Sequence, residues 1–116
     1  MTGTKIFQVE KPWGNFRQFT LNSPSTVKII SVKAGEELSL QSHSKRSEFW
    51  RIVRGSGTVQ IEDKKYSAIV GEEYEIPLGV KHRISAGLDG IEFLEIATGD
   101  FDENDIIRFE DKYGRV

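Results

Sequence analysis

Cysteine is absent from this sequence of 116 residues, and histidine is scarce, with only two residues. Without cysteine neither a disulfide nor a thiolate metal site can form, so any metal has to be held by histidine, carboxylate or amide oxygen. An excess of one charge is also missing, since 16 Lys and Arg stand against 18 Asp and Glu. Nucleic-acid-binding proteins usually carry a basic excess that releases counterions from phosphates, so a nucleic-acid partner is not expected.

Long hydrophobic runs are missing as well. No stretch approaches the roughly eighteen consecutive apolar residues of a membrane helix, and the first thirty residues lack a positively charged start followed by an apolar run. We therefore expect a cytoplasmic protein with no membrane partner. A chain of this length encloses one core, so we expect a single domain over 1–116, with its core at about 26–98 and both terminal extensions packed on it.

The sequence does contain the periodicity of short β-strands. Most segments alternate apolar and polar residues and then meet a turn residue, which is typical of half-buried β-strands. The expected strands are 27–32, 48–54, 58–61, 66–70, 73–76, 82–85 and 91–97, with a hairpin turn at 62–65. Short strands at this spacing favour an all-β sandwich or barrel. For Asp102 to Phe109 we expect a short helical or irregular tail, with Asp102 as the N-cap of any helix.

The two histidines stand beside other potential metal ligands. Side chains two apart on a strand point to the same face, so Gln41 and His43 can both point inward. Glu48 opens the next expected strand after a loop of four residues, so a hairpin would bring it beside His43. His82 begins a strand just after a Pro-x-Gly turn. These four side chains offer two imidazole nitrogens, an amide oxygen and a carboxylate, which a hard or borderline divalent ion accepts.

Both histidine segments match the motifs of the cupin superfamily in order and in spacing. The first motif, G-x5-H-x-H-x(3,4)-E-x6-G, runs from Gly35 to Gly55, with Gln41 where the first histidine is common. The second, G-x5-P-x-G-x2-H-x3-N, starts at Gly71 and ends with Ala86 in place of asparagine. The sequence thus resembles a cupin, which implies a double-stranded β-helix, or jelly-roll barrel. The resemblance also implies four metal ligands: Gln41, His43, Glu48 and His82.

A more specific resemblance is to the C-terminal mannose-6-phosphate isomerase domain of the bifunctional type II enzymes, which join it to a mannose-1-phosphate guanylyltransferase. It rests on Q-x-H-x4-E-x-W at 41–50, K-P-W-G at 11–14, D-E-N-D-I-I-R at 102–108 and D-x-Y-G-R at 111–115. Phe49 departs from the pattern, because that family usually has histidine there. These residues include no counterpart of the guanylyltransferase half, so we expect a stand-alone isomerase and no guanylyl transfer.

The resemblance implies an aldose–ketose isomerase that interconverts mannose 6-phosphate and fructose 6-phosphate through an enediolate. A divalent ion suits this reaction, because negative charge develops on two neighbouring oxygens and a Lewis acid stabilises it. A neutral Gln41 beside the single carboxylate of Glu48 leaves a positive centre, which fits redox-inert Zn²⁺ better than oxygen-activating iron.

The substrate phosphate requires a cationic partner. Arg46 is the first candidate because arginine binds phosphate in a bidentate manner, and Lys45 is the second. The further candidates for substrate binding are Trp50, Lys81, Arg83 and Arg115. For proton transfer the candidate catalytic residues are Lys45 and Glu48.

Each of these residues also has a structural interpretation. Gln41 could be a polar residue of the barrel, and Glu48 could simply pair with Arg46 or Lys45. Trp50 could pack in the core, and the basic side chains could lie on a solvated face.

Two other functions stay open at this stage. One is a non-catalytic cupin that binds a sugar or sugar phosphate with a metal, which the departure at Phe49 and the small size favour. The other is a metal-dependent oxygenase, which Gln41 disfavours. The family resemblance further implies a homodimer, for which the strand Lys5–Val9 could add to the sheet edge of a partner.

Overall fold

A computed structural model of the chain describes residues 6–116, and all the regular elements among them are β-strands. In chain order they are β1 (Phe7–Lys11), β2 (Gly14–Gln18), β3 (Ser25–Val32), β4 (Leu40–Ser42), β5 (Arg46–Ile61), β6 (Lys64–Ile69), β7 (Glu73–Ile76), β8 (His82–Gly99) and β9 (Ile107–Glu110). The all-β class expected from the sequence is confirmed. Within residues 6–116 we find no helix with the length and hydropathy required to span a membrane.

The strands form a seven-stranded antiparallel sheet and a separate two-stranded hairpin. The large sheet runs in the order β6-β5-β8-β4-β9, with β3 added to β8 and β7 added to β5, while β1 pairs with β2. The long strands β5 and β8 pair from Arg46 opposite Gly99 to Ile61 opposite His82. This ladder carries residues of both cupin motifs, with Glu48 near one end, opposite Ala97, and His82 at the other, opposite Ile61.

Strands β5 and β8 each join two strands that the sequence indicated as separate. Segments 48–54 and 58–61 form one strand, as do 82–85 and 91–97. The β5–β8 ladder has bulges at the positions where we expected one strand to end and the next to begin. A bulge bends a strand without ending it, so the rule that glycine marks a strand boundary was wrong here.

Two glycines make the bulged region possible. Gly55 has a φ of 77°, and a Cβ on it would lie 2.1 Å from the carbonyl oxygen of Gly90. A Cβ on Gly57 would lie 2.0 Å from the carbonyl oxygen of Ser85. Any side chain at these positions would therefore force the two strands apart.

The core lies on the inner face of the β5–β8 ladder. Glu48, Trp50 and Ile52 alternate along that face of β5, opposite Ala97, Glu95 and Phe93 of β8. The buried apolar side chains that pack together are Val32, Trp50, Ile52, Val59, Ala68, Ile76, Ile84, Ile91 and Phe93. At the Glu48 end the same face continues with buried polar side chains, so the core leads directly into a polar site.

The expected hairpin between the Gln41–His43 segment and Glu48 was wrong. Strand β4 pairs with β8 and β9, and β5 pairs with β6, β7 and β8. His43 and Glu48 still approach each other, but they do so across the interior of the fold and not along a ladder. A short loop does not by itself make its flanking strands hydrogen-bond partners.

The helical interpretation of 102–109 was also wrong. The Asp102 carboxylate accepts a hydrogen bond from the Asn104 backbone N at 2.9 Å, and the Asp105 N donates to the Asp102 carbonyl oxygen at 2.9 Å. Asp102 therefore caps a turn, as it would cap a helix. The following residues alternate with period two and form β9, which pairs with β4.

The hairpin of β1 and β2 is attached to the barrel by charge and by aromatic contact. Arg17 of β2 donates two hydrogen bonds to the Glu73 carboxylate, at 2.5 and 2.7 Å, and Arg51 donates another. Phe19 packs on Phe49, with ring centroids 5.1 Å apart. The predicted strand Lys5–Val9 overlaps β1 only in part, because Lys5 lies outside the described residues.

Replacement of Glu73 tests this attachment. The hydrogen bonds from Arg17 and then from Arg51 outweigh partial burial and hold the pKa of Glu73 below its ordinary value. The ion pair therefore stabilises the attachment above the unfolded-state pKa and is lost as the pH falls through the lowered pKa. We expect Glu73→Gln to accelerate amide hydrogen exchange in 14–18 about two- to fivefold at neutral pH, as for a surface ion pair, and to have little effect at pH 2–3.

Glu92→Gln is the matched control, since it removes a carboxylate that pairs with Arg54 on another part of the barrel. Exchange in 14–18 should be the same in this variant as in the wild type. Equal exchange in the Glu73 variant and the wild type at neutral pH would show that the ion pair does not hold the hairpin.

Candidate metal centre

Three side chains from separate parts of the chain meet in the interior. His43 follows β4, Glu48 lies on β5, and His82 is the first residue of β8. All three are buried, with 3%, 5% and 1% of their surface exposed. One ligand atom from each lies within 4.8 Å of the others. The three residues predicted from the two motifs are thus brought together.

The contacts within this group run from each histidine to the carboxylate. His43 Nε2 lies 3.4 Å from Glu48 Oε2, and His82 Nε2 lies 3.5 Å from Glu48 Oε1. The two imidazole centroids are 5.0 Å apart. Each oxygen of one carboxylate therefore faces one imidazole nitrogen.

Hydrogen bonds to the other ring nitrogens define the tautomers. His43 Nδ1 lies 2.7 Å from the Asp105 carbonyl oxygen, and His82 Nδ1 lies 2.9 Å from the Val80 carbonyl oxygen. A carbonyl only accepts, so each Nδ1 carries a proton and donates it. In the neutral rings both Nε2 lone pairs then face the Glu48 carboxylate.

This arrangement fits a bound cation. The buried His82 Nε2 has no hydrogen-bond partner among residues 6–116, although polar atoms in protein interiors are almost always paired. A lone pair that faces a carboxylate oxygen needs a positive charge between the two, either a proton or a metal ion. Burial, which outweighs the attraction of Glu48, lowers the pKa of His82 and disfavours the proton. The donor set of imidazole nitrogens and carboxylate oxygens is one that divalent metals accept.

Two neighbours on β5 hold the Glu48 carboxylate. Trp50 donates from Nε1 to Glu48 Oε1 at 3.1 Å, and Arg46 donates from Nε to Glu48 Oε2 at 3.1 Å. Trp50 also packs against Phe93, with ring centroids 4.7 Å apart, and places its ring edge to face with His82. Trp50 thus belongs to the core, as one of the two interpretations had it, and at the same time it orients Glu48.

A second buried carboxyl group, which the sequence reasoning missed, adjoins Glu48. Glu95 lies opposite both Trp50 and Lys28 in the ladders of β8 and shares a hydrogen bond with Glu48. Burial, and then the charge of Glu48, raises the pKa of Glu95 to about 8. Burial also opposes ionisation of Glu48, but positive charge at His82 and His43, whether carried by a proton or by a cation, and the hydrogen bond from Arg46 lower its pKa below the ordinary value. Glu95 is therefore the protonated member of the pair at neutral pH.

Gln41 lies next to the group and is half buried. It stands opposite His82 in the pairing of β4 with β8. Its Oε1 accepts a hydrogen bond from the buried Ser39 hydroxyl at 2.7 Å. This bond leaves the second lone pair of the amide oxygen available, so the position suits an additional oxygen ligand.

Arg46 is part of the buried group and does not lie on a solvated face. Besides Glu48, its guanidinium contacts His43 Nε2 from Nη2 at 3.2 Å and donates from Nη1 to the Asp102 carbonyl oxygen at 3.3 Å. Its Cζ lies 4.3 Å from the centroid of the Phe101 ring. A metal ion and Nη2 compete for the same lone pair of His43, so Arg46 and a cation have to share this space.

The structure does not bring the other basic candidates to this group. Arg83 donates to the Leu38 carbonyl oxygen and to Glu110. Arg115 pairs with Asp111 in the tail. The remaining two are Lys45, which is exposed on the loop after His43, and Lys81, whose Nζ lies 4.3 Å from the centroid of the Phe109 ring.

Lys28 is a basic residue of this region that the sequence reasoning missed. Its Nζ lies 4.1 Å from the centroid of Phe101, the ring that Arg46 also contacts, and 3.6 Å from a Glu103 carboxylate oxygen. The alternation of β3 contains the signal, because a lysine interrupts the inward-facing positions that Ile30 and Val32 continue.

The departures at Phe49 and Ala86 leave the three buried side chains of the group in place. Phe49 lies on the opposite face of β5 from Glu48 and Trp50, as alternation predicted, and packs on Phe19. Ala86 stands opposite Gly57 in the β5–β8 ladder. Neither position is occupied by a member of the buried group.

Comparisons with known proteins agree with this geometry. Residues 3–111 match the family model described as mannose-6-phosphate isomerase C-terminal. The chain is 39% identical over 111 residues to the xanthan biosynthesis protein XanB of Xanthomonas campestris pv. campestris (strain B100), covering 94% of this chain and 24% of that protein. It is 38% identical over 110 residues to the mannose-1-phosphate guanylyltransferase of Salmonella montevideo, covering 93% of this chain and 23% of that protein.

Solved structures agree on the fold. A cupin protein from Bacteroides fragilis superimposes with a TM-score of 0.61 at 26% identity, over 73% of this chain and 76% of the other. The chain spans about a quarter of the length of the curated relatives. It is thus a cupin jelly roll that corresponds to one part of those longer proteins, and it belongs to the mannose-6-phosphate isomerase C-terminal family.

Proposed function

We propose that this chain is a metal-dependent sugar-phosphate isomerase that interconverts mannose 6-phosphate and fructose 6-phosphate. The observation that carries the proposal is the convergence of two buried imidazole lone pairs on one carboxylate, in a member of a family described by that isomerase. The ligands would be His43, Glu48 and His82, with Gln41 as the fourth. The curated relatives are about four times as long, so the guanylyltransferase activity in the name of one of them does not transfer to these residues.

Zn²⁺ is the ion that we propose for this centre. The donor set contains nitrogen and oxygen and no thiolate, because the chain lacks cysteine. Three or four such ligands leave room for a substrate oxygen in a catalytic zinc site. When bound, the ion supplies a Lewis acid that stabilises the negative charge developing on the substrate oxygens.

The surrounding side chains hold the carboxylate of this centre in place. Trp50 and Arg46 hold both oxygens of Glu48, so the carboxylate cannot rotate away from the histidines. Glu95 keeps a proton beside Glu48, which limits the negative charge in the interior. Of the two proton-transfer candidates, Glu48 has its oxygens occupied by these contacts, and Lys45 is exposed on the loop after His43, so it would have to turn toward the centre to take this role.

For the substrate phosphate we propose Lys28 together with Arg46. Both cations pack on the Phe101 ring, at 4.1 and 4.3 Å from its centroid, so this one ring carries two positive charges next to the buried group. The side chain of Lys28 is 38% exposed and can reach a ligand, while that of Arg46 is 8% exposed and mainly holds Glu48. The exposed Glu103 carboxylate lies 3.6 Å from Lys28 Nζ, so a phosphate that pairs with Lys28 would have to displace it.

Removal of the central carboxylate tests the metal assignment. We expect the wild type to bind about one Zn²⁺ per chain, measured by elemental analysis, and to form fructose 6-phosphate in a coupled assay. Glu48→Gln should lose both properties, because a neutral amide binds the cation far more weakly. Glu37→Gln is the matched control, since that carboxylate contacts Ser85 and Arg83 outside the group. His82→Asn is the second variant, which keeps Arg46 paired should Glu48→Gln fail to fold.

The outcomes separate the competing functions. Bound metal with tight binding of the sugar phosphate and no turnover would support the non-catalytic cupin in place of the isomerase. No metal after reconstitution would show that the ligand assignment is wrong.

Lys28→Met tests the phosphate site. A hydrogen bond to a charged group contributes roughly 1.5–3 kcal/mol, so we expect KM for mannose 6-phosphate to rise about tenfold to a hundredfold, with kcat and Zn²⁺ content changed little. Lys64→Met, on the exposed strand β6, is the control for loss of one positive charge. An unchanged KM in the Lys28 variant would remove this lysine from the site.

We also propose that the chain forms a homodimer. Strand β3 pairs with β8 and ends the sheet there, and its outward side chains Val27 and Ile29 are 59% and 58% exposed. An exposed edge with an apolar face favours association with a second copy. Light scattering after gel filtration should give a mass of twice the 13.2 kDa of one chain. In Val27→Lys the mass should fall to that of a single chain. A wild type that stays at the mass of one chain contradicts the dimer.

A further inference from the structure

The tail segment D-E-N-D-I-I-R spans 102–108, and its last two residues begin β9. The residues before β9 belong to no strand, yet they contact the candidate centre. Asp105 makes four hydrogen bonds to the loop that carries His43. Its carboxylate accepts from the Ser44 backbone N at 2.9 Å, from the Ser44 hydroxyl at 2.8 Å and from the Lys45 backbone N at 2.8 Å. Its carbonyl oxygen accepts from His43 Nδ1 at 2.7 Å. One residue thus holds both the ring and the loop.

Asp105 is itself held in place from both sides. Its backbone N donates to the Asp102 carbonyl oxygen in the turn before it. After it the chain enters β9, where Ile107 stands opposite Ser42, the residue just before His43. The turn and the ladder give the Asp105 carbonyl a definite position relative to the imidazole ring.

The two histidines differ in how their rings are oriented. His82 Nδ1 donates to the Val80 carbonyl oxygen, two residues earlier in the same loop. His43 Nδ1 donates to a carbonyl that is 62 residues away along the chain. The orientation of His82 is therefore local, whereas that of His43 depends on the docking of the tail.

We propose that Asp105 is a positioning residue of the metal centre, whose carboxylate anchors the His43 loop so that its carbonyl fixes the Nδ1–H tautomer of the His43 ring. The role in metal binding rests on the function proposed above. A fixed Nδ1–H directs the Nε2 lone pair at the centre and increases its basicity, and loss of such a partner typically weakens metal binding about 10–100-fold. Asp105 does not contact the ligand atoms and acts through His43.

The experiment uses the full chain labelled with ¹⁵N-histidine, whose spectrum contains only two imidazole rings. Long-range ¹H–¹⁵N spectra report the tautomer of each ring, and competition with a chelating dye measures Zn²⁺ affinity. In Asp105→Ala we expect the His43 ring to lose its uniform Nδ1–H tautomer and the His82 ring to keep its own. We expect Zn²⁺ affinity to fall about 10–100-fold.

Asp111→Ala is the matched control. The Asp111 carboxylate also accepts three hydrogen bonds, from the backbone N, Nε and Nη2 of Arg115, in the same tail but away from the histidines. Both histidine rings and Zn²⁺ affinity should be unchanged in this variant. Asp105→Asn retains one side-chain oxygen acceptor and should give a smaller change in the same direction as alanine, which keeps the proposal testable if the alanine variant does not fold.

The two proposals fail in different ways. If His43 keeps its tautomer and Zn²⁺ affinity stays within about twofold of the control in both Asp105 variants, the positioning role is overturned. If the wild type takes up no Zn²⁺, the metal centre fails, and the histidine spectra alone decide whether Asp105 fixes the His43 ring.

Discussion

The structure depends on one interaction: two buried imidazole lone pairs directed at the two oxygens of a single carboxylate. His43 and His82 approach Glu48 at 3.4 and 3.5 Å, and all three side chains are buried. Such a group is costly to bury unless positive charge balances it, and Arg46 supplies one such charge. Arg46 offsets the single charge of Glu48, but the His82 Nε2 lone pair still faces a carboxylate oxygen without a donor among residues 6–116. A divalent cation between the two would satisfy both atoms, which supports a binding site at the polar end of the core.

The fold supplies this interaction from segments that are far apart in sequence. The β5–β8 ladder places Glu48 and Glu95 on one inner face, and it ends where His82 begins β8. His43 directly follows strand β4, and the tail packs beside it through Asp105. Two buried carboxyl groups, Glu48 and Glu95, thus lie together at the place where chemistry is proposed. The opposite end of the barrel is an ordinary apolar core.

The motif spacing correctly predicted the jelly roll and the proximity of His43, Glu48 and His82. Local periodicity could not show which strands pair, so the hairpin between His43 and Glu48 was wrong. The prediction that Asp102 caps a local turn is confirmed, but the helix predicted after it is wrong. Pairing with β4 holds the following residues as strand β9. Lys28 and Glu95 were missed because a single charged residue in a strand is expected to be exposed, and only the ladder shows that the two lie opposite each other. Their inward positions in alternating strands were visible in the sequence.

The most direct test of the central claim is X-ray absorption at the zinc edge of the Zn²⁺-loaded full chain. Histidine ligands give a characteristic multiple-scattering pattern, and zinc–nitrogen and zinc–oxygen distances lie at about 2.0–2.2 Å. We predict a first shell of nitrogen and oxygen only, with scattering from two imidazoles, His43 and His82. A shell of oxygen atoms without imidazole scattering would place the metal elsewhere and contradict the account.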